Sequence, residues 1–253
     1  MKVLITGAAG FLGHGIVEIL EKNHHLRLLD VQPFDTPHEK VVGTVADWET
    51  VRGACAGIDA IVIAHMASRR PGVYDTPVIP FDVNVKGTAL LCAAAVEHRV
   101  SRIALISSMG VVRRQHEHNR FITRDLPIGV SGGRGITYLL TKVCQEVIVR
   151  NYHAAFGIQT AIIRPDYITD EDTLTDKYGK KMRYVNWRFT DRRDIGLAVD
   201  RALALPDLSC EVFYVVSHPD AERYVDIQYT RQRLGWKPQH DFSRYPKDPR
   251  FSD

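Results

Sequence analysis

A tyrosine and a lysine, Tyr138 and Lys142, stand four residues apart in a stretch with helical periodicity. That spacing places both side chains on one face of a helix. A free tyrosine is a poor base at neutral pH, because its usual pKa is ~10. An adjacent ammonium group favours the phenolate, and a pKa lowered by about three units corresponds to roughly 4 kcal/mol. The pair could therefore act as a general base on an alcohol, with Ser107 and Ser108 ending a predicted strand one element earlier.

A glycine-rich turn, TGAAGFLG at 6–13, follows the first apolar run of the chain. Glycines at 7, 10 and 13 permit a tight turn, a close approach of backbone amides to a pyrophosphate, and close packing of helix on strand. A helix that begins near Phe11 would direct its N-terminal amides and its positive dipole end at the phosphates. The turn therefore predicts a dinucleotide site.

An acidic residue, Asp30, ends the second predicted strand, seventeen positions after Gly13. A carboxylate there can accept hydrogen bonds from an adenosine ribose diol and repels a 2′-phosphate, which predicts NAD rather than NADP. Asp47 follows the third short run. It could receive the adenine amino group, or it could cap the helix that begins at Trp48.

Short apolar runs alternate with stretches of helical spacing along most of the chain. The runs are Lys2–Thr6, Leu26–Asp30, Lys40–Thr44, Ala60–Ala64, Arg102–Ser107, Gln159–Arg164 and Val212–Val216. The helical stretches are Phe11–Lys22, Trp48–Cys55, Pro80–Arg99, Ile136–Ala155 and Arg193–Leu205. Most runs are apolar throughout, as strands buried on both faces are. This order predicts an α/β fold, a Rossmann-type doubly wound parallel sheet with a small C-terminal substrate-binding portion.

The chain is expected to form one domain, with a dinucleotide-binding core over 1–165. Residues 166–253 would complete the sheet and add a small substrate-binding region. Two irregular stretches, His116–Arg134 and Asp166–Phe189, follow the ends of predicted strands. Ligands of doubly wound sheets bind beyond those ends, so both stretches are candidates for substrate contact.

The composition narrows the class of protein. The 253 residues are 45% hydrophobic and 25% charged, which is typical of a soluble globular protein. A formal net charge of +3 predicts no nucleic-acid partner, and no run approaches the ~18 apolar residues of a membrane span. The four cysteines form no CxxC pair, which favours a reducing, cytoplasmic compartment. No metal is expected, because His116-Glu117-His118 lacks a third ligand.

Together these motifs resemble the extended branch of the short-chain dehydrogenase/reductase superfamily, the NAD-dependent epimerase/dehydratase family. The resemblance covers most of the chain. It includes TGAAGFLG at 6–13, Asn84-Val85-Lys86-Gly87-Thr88, Ser107-Ser108, Tyr138 with Lys142, and Arg164-Pro165. The overall layout, with Leu234-Gly235-Trp236-Lys237-Pro238 near the end, is most similar to compact uronate-dehydrogenase-like members.

The resemblance implies a role for each motif residue. Tyr138 would be the acid/base, Lys142 would orient the nicotinamide ribose, Ser108 would polarise the substrate oxygen, and Asn84 would support them. The expected cofactor contacts are Gly7, Ala9, Gly10, Phe11, Leu12, Gly13, Asp30, Asp47, Trp48, Ala64, His65, Met66, Asn84, Ile106, Tyr138, Lys142, Arg164 and Asp166. The expected substrate contacts are Ser68, Ser108, Met109, Arg113 and Arg164.

The predicted function is hydride transfer between NAD and a hydroxyl carbon of a small sugar or sugar acid. The chain departs from the family where Met109-Gly110-Val111 replaces the usual VYG and Asp166-Tyr167-Ile168 follows Arg164-Pro165. Only about ninety residues follow Pro165, which is a short segment for binding a nucleotide-linked sugar. The alternatives are an NAD-retaining sugar or nucleotide-sugar epimerase or dehydratase, and a non-catalytic NAD-binding regulatory protein. By resemblance, a homodimer would form through Phe81–His98 and Tyr138–His153.

Overall fold

The computed structural model describes residues 1–68, 70–112, 121–130 and 135–251. Its strands are β1 (Lys2–Thr6), β2 (His25–Asp30), β3 (Glu39–Val42), β4 (Ala60–Ile63), β5 (Arg102–Ile106), β6 (Gln159–Pro165), β7 (Tyr167–Asp170), β8 (Thr175–Asp176), β9 (Phe189–Asp191) and β10 (Cys210–Val215). Its α-helices are α1 (Phe11–Leu20), α2 (Trp48–Cys55), α3 (Val78–Pro80), α4 (Gly87–Glu97), α5 (Ile136–Phe156), α6 (Arg192–Ala204) and α7 (Gln228–Leu234).

Seven strands form one parallel sheet in the order β3-β2-β1-β4-β5-β6-β10. Thr6 at the end of β1 lies opposite Leu29 on one side and Ile63 on the other, so all three strands end at one edge. The strand order reverses at β1, which is the switch point where such sheets bind ligands. The predicted Rossmann-type fold is confirmed.

Both faces of the sheet are covered, which explains why its central strands are apolar throughout. Ile16 of α1 and Val199 of α6 are buried in the cluster on one face. Val51 of α2, Leu91 of α4 and Val149 of α5 are buried in the cluster on the other face. The predicted strands and helices agree with the observed ones to within a few residues at their ends.

A second, smaller sheet lies where an irregular stretch was expected. Strands β8, β7 and β9 pair in that order, antiparallel between β8 and β7 and parallel between β7 and β9. These strands have only two to four residues, too few to show a periodicity in the sequence. This region brings Asp166, Lys177 and Arg188 into one cavity with Ser107 and Ser108, which follow β5.

One helical stretch departs from regular α geometry. Between α3 and α4 the residues Phe81–Lys86 form a π-helical turn, so helix runs without a break over Val78–Glu97. Among the described residues this is the one helix long and apolar enough to cross a membrane, with a mean hydropathy of 1.3. It packs on the sheet through Leu91 and Cys92, as core helices of globular proteins do.

Candidate active site

The catalytic pair predicted from the sequence lies at the first two turns of α5. Lys142 is buried, and its Nζ donates a hydrogen bond to the carbonyl oxygen of Ile106 at 2.7 Å. Ile106 is the last residue of β5, so this bond fixes the ammonium group at the end of that strand. Tyr138, one turn earlier, is half-buried and faces a cavity. The spacing thus brings both groups to the sheet edge where ligands are expected.

The cavity beside Tyr138 has a volume of about 240 Å³. Ser108 lines it, and its Oγ accepts a hydrogen bond from the Gly110 amide at 3.1 Å. The opposite wall comes from the small sheet and its loops and consists of Pro165, Asp166, Tyr167, Ile168, Asp176, Lys177, Tyr178 and Arg188. The predicted base and the predicted serine therefore share one pocket.

Asn84 joins the loop after β4 to α5. Its buried side chain accepts a hydrogen bond from the Ala67 amide at 2.7 Å and donates to Thr141 Oγ1 at 3.0 Å. Thr141 in turn donates to the carbonyl oxygen of Tyr138 at 2.7 Å. The amide also lies 3.5 Å from the hydroxyl of Tyr74, whose ring meets that of Tyr138 edge-on. This geometry suits the expected supporting role.

Two expectations for Arg164 do not fit the structure. Its guanidinium is buried and donates to Glu146 through Nε at 2.9 Å and Nη2 at 2.7 Å. Its Nη1 donates to the hydroxyl of Tyr214 at 3.0 Å. Ser107 also donates to Glu146, at 2.6 Å. Because these donors bond to Glu146 and Tyr214 inside the protein, we interpret Arg164 as a structural ion-pair partner rather than as a ligand contact.

Met109 differs from expectation, and Asp47 takes one of its two expected roles. The Met109 side chain is buried among apolar residues, so it cannot reach the cavity. Asp47 is the N-cap of α2, and its carboxylate accepts a hydrogen bond from the Thr50 amide at 2.8 Å. The capping interpretation of Asp47 therefore holds, and Trp48 packs partly into the core beneath it. Arg113 lies outside the described residues.

His65 is a buried neutral histidine. Its Nδ1 shares a hydrogen bond with Thr6 Oγ1 at 2.9 Å. Burial, together with the nearby charge of Lys142, lowers the pKa of His65 to about 3. The imidazole is therefore expected to be neutral at neutral pH, and the backbone of His65 packs against Gly7 of the glycine turn.

The glycine turn has the shape that a dinucleotide requires. Gly7 has a φ of +72°, and a Cβ there would lie 2.7 Å from the Cα of His65. A Cβ on Gly13 would lie 2.3 Å from the carbonyl oxygen of Gly7, so α1 packs directly on the turn. Gly10 precedes α1 without a side-chain cap, which leaves the first amides of the helix to a ligand. Ala9, Phe11 and Leu12 belong to this segment.

A second cavity, of about 150 Å³, continues from the glycine turn along the sheet edge. Asp30 lines it at the end of β2, and its carboxylate accepts hydrogen bonds from the amides of Ala9 and Gln32 at 3.0 and 2.9 Å. His65, Met66 and Ser68 line it from the β4 side, where Ala64 begins the loop. The carboxylate is thus oriented where a ribose diol would bind, and the residues fit NAD.

Four residues that line the cavity beside Tyr138 were not predicted as site residues from any sequence motif. Tyr167, Lys177, Tyr178 and Arg188 lie within the irregular stretch that was predicted to contact substrate. Asp166, expected at the cofactor, instead accepts two hydrogen bonds from Arg188, at 2.6 and 2.8 Å. Only the position of the stretch after β6 could have indicated these residues.

Comparison with known proteins identifies the family of the chain. The model of the NAD dependent epimerase/dehydratase family matches residues 3–191. The chain belongs to this family. Its expected fold, its cofactor NAD and its enzyme class, an extended short-chain dehydrogenase/reductase, are thereby confirmed.

Individual relatives include sugar and steroid dehydrogenases. The NAD-dependent glucose-6-phosphate dehydrogenase of Haloferax volcanii is 25% identical over 96% of this chain and 95% of its own. A 3-beta-hydroxysteroid dehydrogenase of Mycolicibacterium neoaurum is 31% identical over 66% of this chain, which spans about half of that relative's length.

A solved structure, uronate dehydrogenase from Agrobacterium tumefaciens, superposes with a TM-score of 0.75 at 25% identity, covering 98% of this chain and 91% of its own. The expected hydride transfer on a small sugar or sugar acid agrees with the glucose-6-phosphate and uronate dehydrogenases among these relatives.

Proposed function

We propose that this chain oxidises a hydroxyl carbon of a monosaccharide or its acid, with Tyr138, Ser108 and Lys142 as the catalytic residues. The observation that carries the proposal is the meeting of Tyr138 and Ser108 in one cavity, with Lys142 one helical turn after the tyrosine and bonded to the carbonyl oxygen of Ile106. This cavity lies next to the glycine turn and Asp30 along the same sheet edge.

Each of the three side chains has a separate role. Tyr138 takes the proton of the substrate hydroxyl, because it lines the cavity together with Ser108. Ser108 donates a hydrogen bond to the same substrate oxygen and orients it. Lys142 favours the phenolate by its positive charge and holds the nicotinamide ribose. NAD, when bound, supplies the hydride acceptor.

A small substrate is favoured by the size of the pocket. Sites for drug-sized molecules have about 300–1,000 Å³, whereas this cavity has about 240 Å³. Residues 166–253 supply its outer wall, through Asp166, Lys177 and Arg188. We infer that this C-terminal region selects the substrate, while residues 1–165 bind NAD.

The test is a screen for NADH formation with D-glucuronate, D-glucose 6-phosphate and D-glucose. Tyr138→Phe should lower kcat by at least a hundredfold, because general acid–base catalysis contributes about 10²–10⁴-fold. Tyr184→Phe is the matched control, since Tyr184 is exposed and lies outside both cavities. Activity of Tyr138→Phe within tenfold of the parent would contradict the proposal.

The same screen separates the alternatives. An epimerase or dehydratase would retain NAD through purification and convert a sugar without net NADH. A regulatory protein would bind NAD and turn over none of the sugars.

We also propose a homodimer and a cytoplasmic location. Exposed apolar side chains lie on the helical stretch Val78–Glu97 and on α5, including Val78, Ile79, Leu140 and Val147. All four cysteines are free thiols, which suits a reducing compartment. Cell fractionation with an antibody against the chain tests the location.

A further inference from the structure

A second lysine lies close to the proposed base. The Nζ of Lys177 is 5.9 Å from the ring centroid of Tyr138 and 5.6 Å from that of Tyr178. All three residues line the same cavity, Lys177 from the wall opposite α5. Lys142, in contrast, lies on α5 itself and is anchored to the end of β5.

The turn that carries Lys177 is held by its neighbour. The buried carboxylate of Asp176 accepts hydrogen bonds from the hydroxyl of Tyr167 at 2.6 Å and from the amides of Tyr178 and Lys180 at 2.9 and 3.0 Å. Burial and the carboxylate raise the pKa of Tyr167, which therefore stays protonated and keeps donating. The backbone of Lys177 is thus fixed on both sides, and its side chain extends over the pocket from a rigid base.

Two carboxylates belong to this wall. Asp166 accepts hydrogen bonds from Nε and Nη2 of Arg188, and Asp176 accepts them from Tyr167 and from the amides of its own turn. With Lys177 and Arg188 against Asp166 and Asp176, the formal charges of the wall cancel, and Lys142 adds a positive charge behind the tyrosine. Among the residues that the structure describes, the charged and titratable groups near the Tyr138 ring include Tyr74, Lys142, Asp166, Asp176, Lys177, Tyr178 and Arg188.

We propose that Lys177 is a second cation acting on Tyr138, favouring its phenolate from the substrate side as Lys142 does from the protein side. This inference rests on the proposed role of Tyr138 as the base. An opposite charge a few ångströms away favours an ionised group by about 1–3 pKa units, and the Nζ of Lys177 lies 5.9 Å from the centre of the Tyr138 ring. Lys177 is half-buried, so screening by water keeps its effect at the lower end of that range. Because Lys177 acts through Tyr138, it is a positioning residue and not a catalytic one.

The experiment measures ionisation directly. The tyrosinate absorbance of the NAD-bound protein is titrated with pH, and the signal of Tyr138 is isolated by subtracting the same titration in a Tyr138→Phe background. Lys177→Met and Lys177→Gln should each move the midpoint upward by about one pH unit. Lys177→Arg should restore it. Lys180→Met is the matched control and should leave it unchanged, because Lys180 is exposed and does not line the pocket.

The pH dependence of kcat with D-glucuronate gives a second readout and should shift by the same amount. An unchanged midpoint in both Lys177→Met and Lys177→Gln would overturn the inference. So would a raised KM for D-glucuronate without a shift in either titration, which would make Lys177 a substrate anchor only. Parental activity of Tyr138→Phe would instead overturn the proposed function, and the absorbance titration distinguishes the two failures.

Discussion

At the scale of single residues, we expect Asp30 to determine which dinucleotide the chain accepts. Its carboxylate is already oriented by the amides of Ala9 and Gln32, which leaves its remaining lone pairs to a ribose diol. Asp30→Ala should raise the KM for NAD about tenfold or more, because hydrogen bonds to a charged group are worth about 1.5–3 kcal/mol. The substitution should also lower the ratio of kcat/KM with NAD to kcat/KM with NADP. Initial rates with both cofactors check this.

The matched control for this change is Asp35→Ala, because Asp35 is exposed and lies outside the cavity. A parent enzyme that prefers NADP would contradict the role assigned to Asp30.

The buried pair of Glu146 and Arg164 belongs to the same scale. Arg164→Met leaves the Glu146 carboxylate buried without its main partner, and breaking a buried pair on one side costs about 3–5 kcal/mol. The expected loss in the free energy of unfolding is of that size, measured by urea titration. Arg150→Met is the control, since Arg150 meets the same carboxylate at 3.5 Å from a more exposed position and should cost under about 1 kcal/mol. A loss for Arg164→Met no greater than the control would show that the pair is not integral to the fold.

The role of Arg164 could not be predicted from the sequence. An arginine followed by proline after a strand is compatible with a ligand contact and with an ion pair, and the choice depends on which residue stands opposite. Glu146 lies eighteen positions earlier, one turn beyond Lys142 on α5, and only the packing of α5 on β6 brings the two together. Other site candidates could be predicted from the sequence, because local spacing and strand position mark them. They are Gly7, Asp30, Tyr138 and Lys142.

At the scale of elements, the predictable part is the part with periodicity. The core strands are buried on both faces and the helices have one apolar side, so both leave regular patterns. The small sheet of β7, β8 and β9 leaves none, and its strands form because distant segments meet, such as Tyr167 with Phe189. The unpredicted pocket residues, including Lys177, are carried by this sheet. For the same reason, the substrate side of the site was less predictable than the cofactor side.

The segment after α7 is attached to α6 by charge as well as by packing. Trp236 is buried and donates to the carbonyl oxygen of Asp194 at 2.9 Å. The Asp194 carboxylate accepts hydrogen bonds from the Gln239 amide at 2.8 Å and meets the His240 ring at 3.2 Å. The hydrogen bond to Asp194 raises the pKa of His240 above its usual value, against the opposing effects of burial and of Arg193.

This raised pKa sets a direction for the dependence of stability on pH. The folded state binds the His240 proton more tightly than the unfolded state does, so its contribution is complete below about pH 6.5 and is lost as pH rises through the folded pKa. His240→Gln should remove this component, on the order of 1 kcal/mol. Urea unfolding of both proteins from pH 6 to pH 9 measures it, with the exposed His14→Gln as control. Parallel curves for the parent and His240→Gln would contradict it.

At the scale of the whole molecule, the helices opposite the substrate wall have an unusual surface. Val78 is 71% exposed, Val147 of α5 is 46% exposed, and the groove between the α3 end and α4 is lined by Ile79, Phe81 and Val85. These residues lie on neighbouring helices, since α4 and α5 pack against each other. Such a surface favours association with a second copy of the chain, which would bury these side chains around a two-fold axis.

Light scattering coupled to size exclusion should therefore give twice the mass of one chain. Val147→Lys should shift the protein toward the monomer. In a two-fold symmetric dimer the substitution occurs once in each subunit, so the interface would contain two lysines. Burying their two ammonium groups among apolar side chains is unfavourable. Val42→Lys is the control: Val42 is 51% exposed but lies on the edge strand β3, far along the sheet from α5. Tyr138 is on the same helix as Val147, so the monomeric variant should also lose part of its activity if the partner helps to fix α5. A parent protein that runs as a monomer at all concentrations would contradict the association, and would leave this apolar surface without an assigned partner.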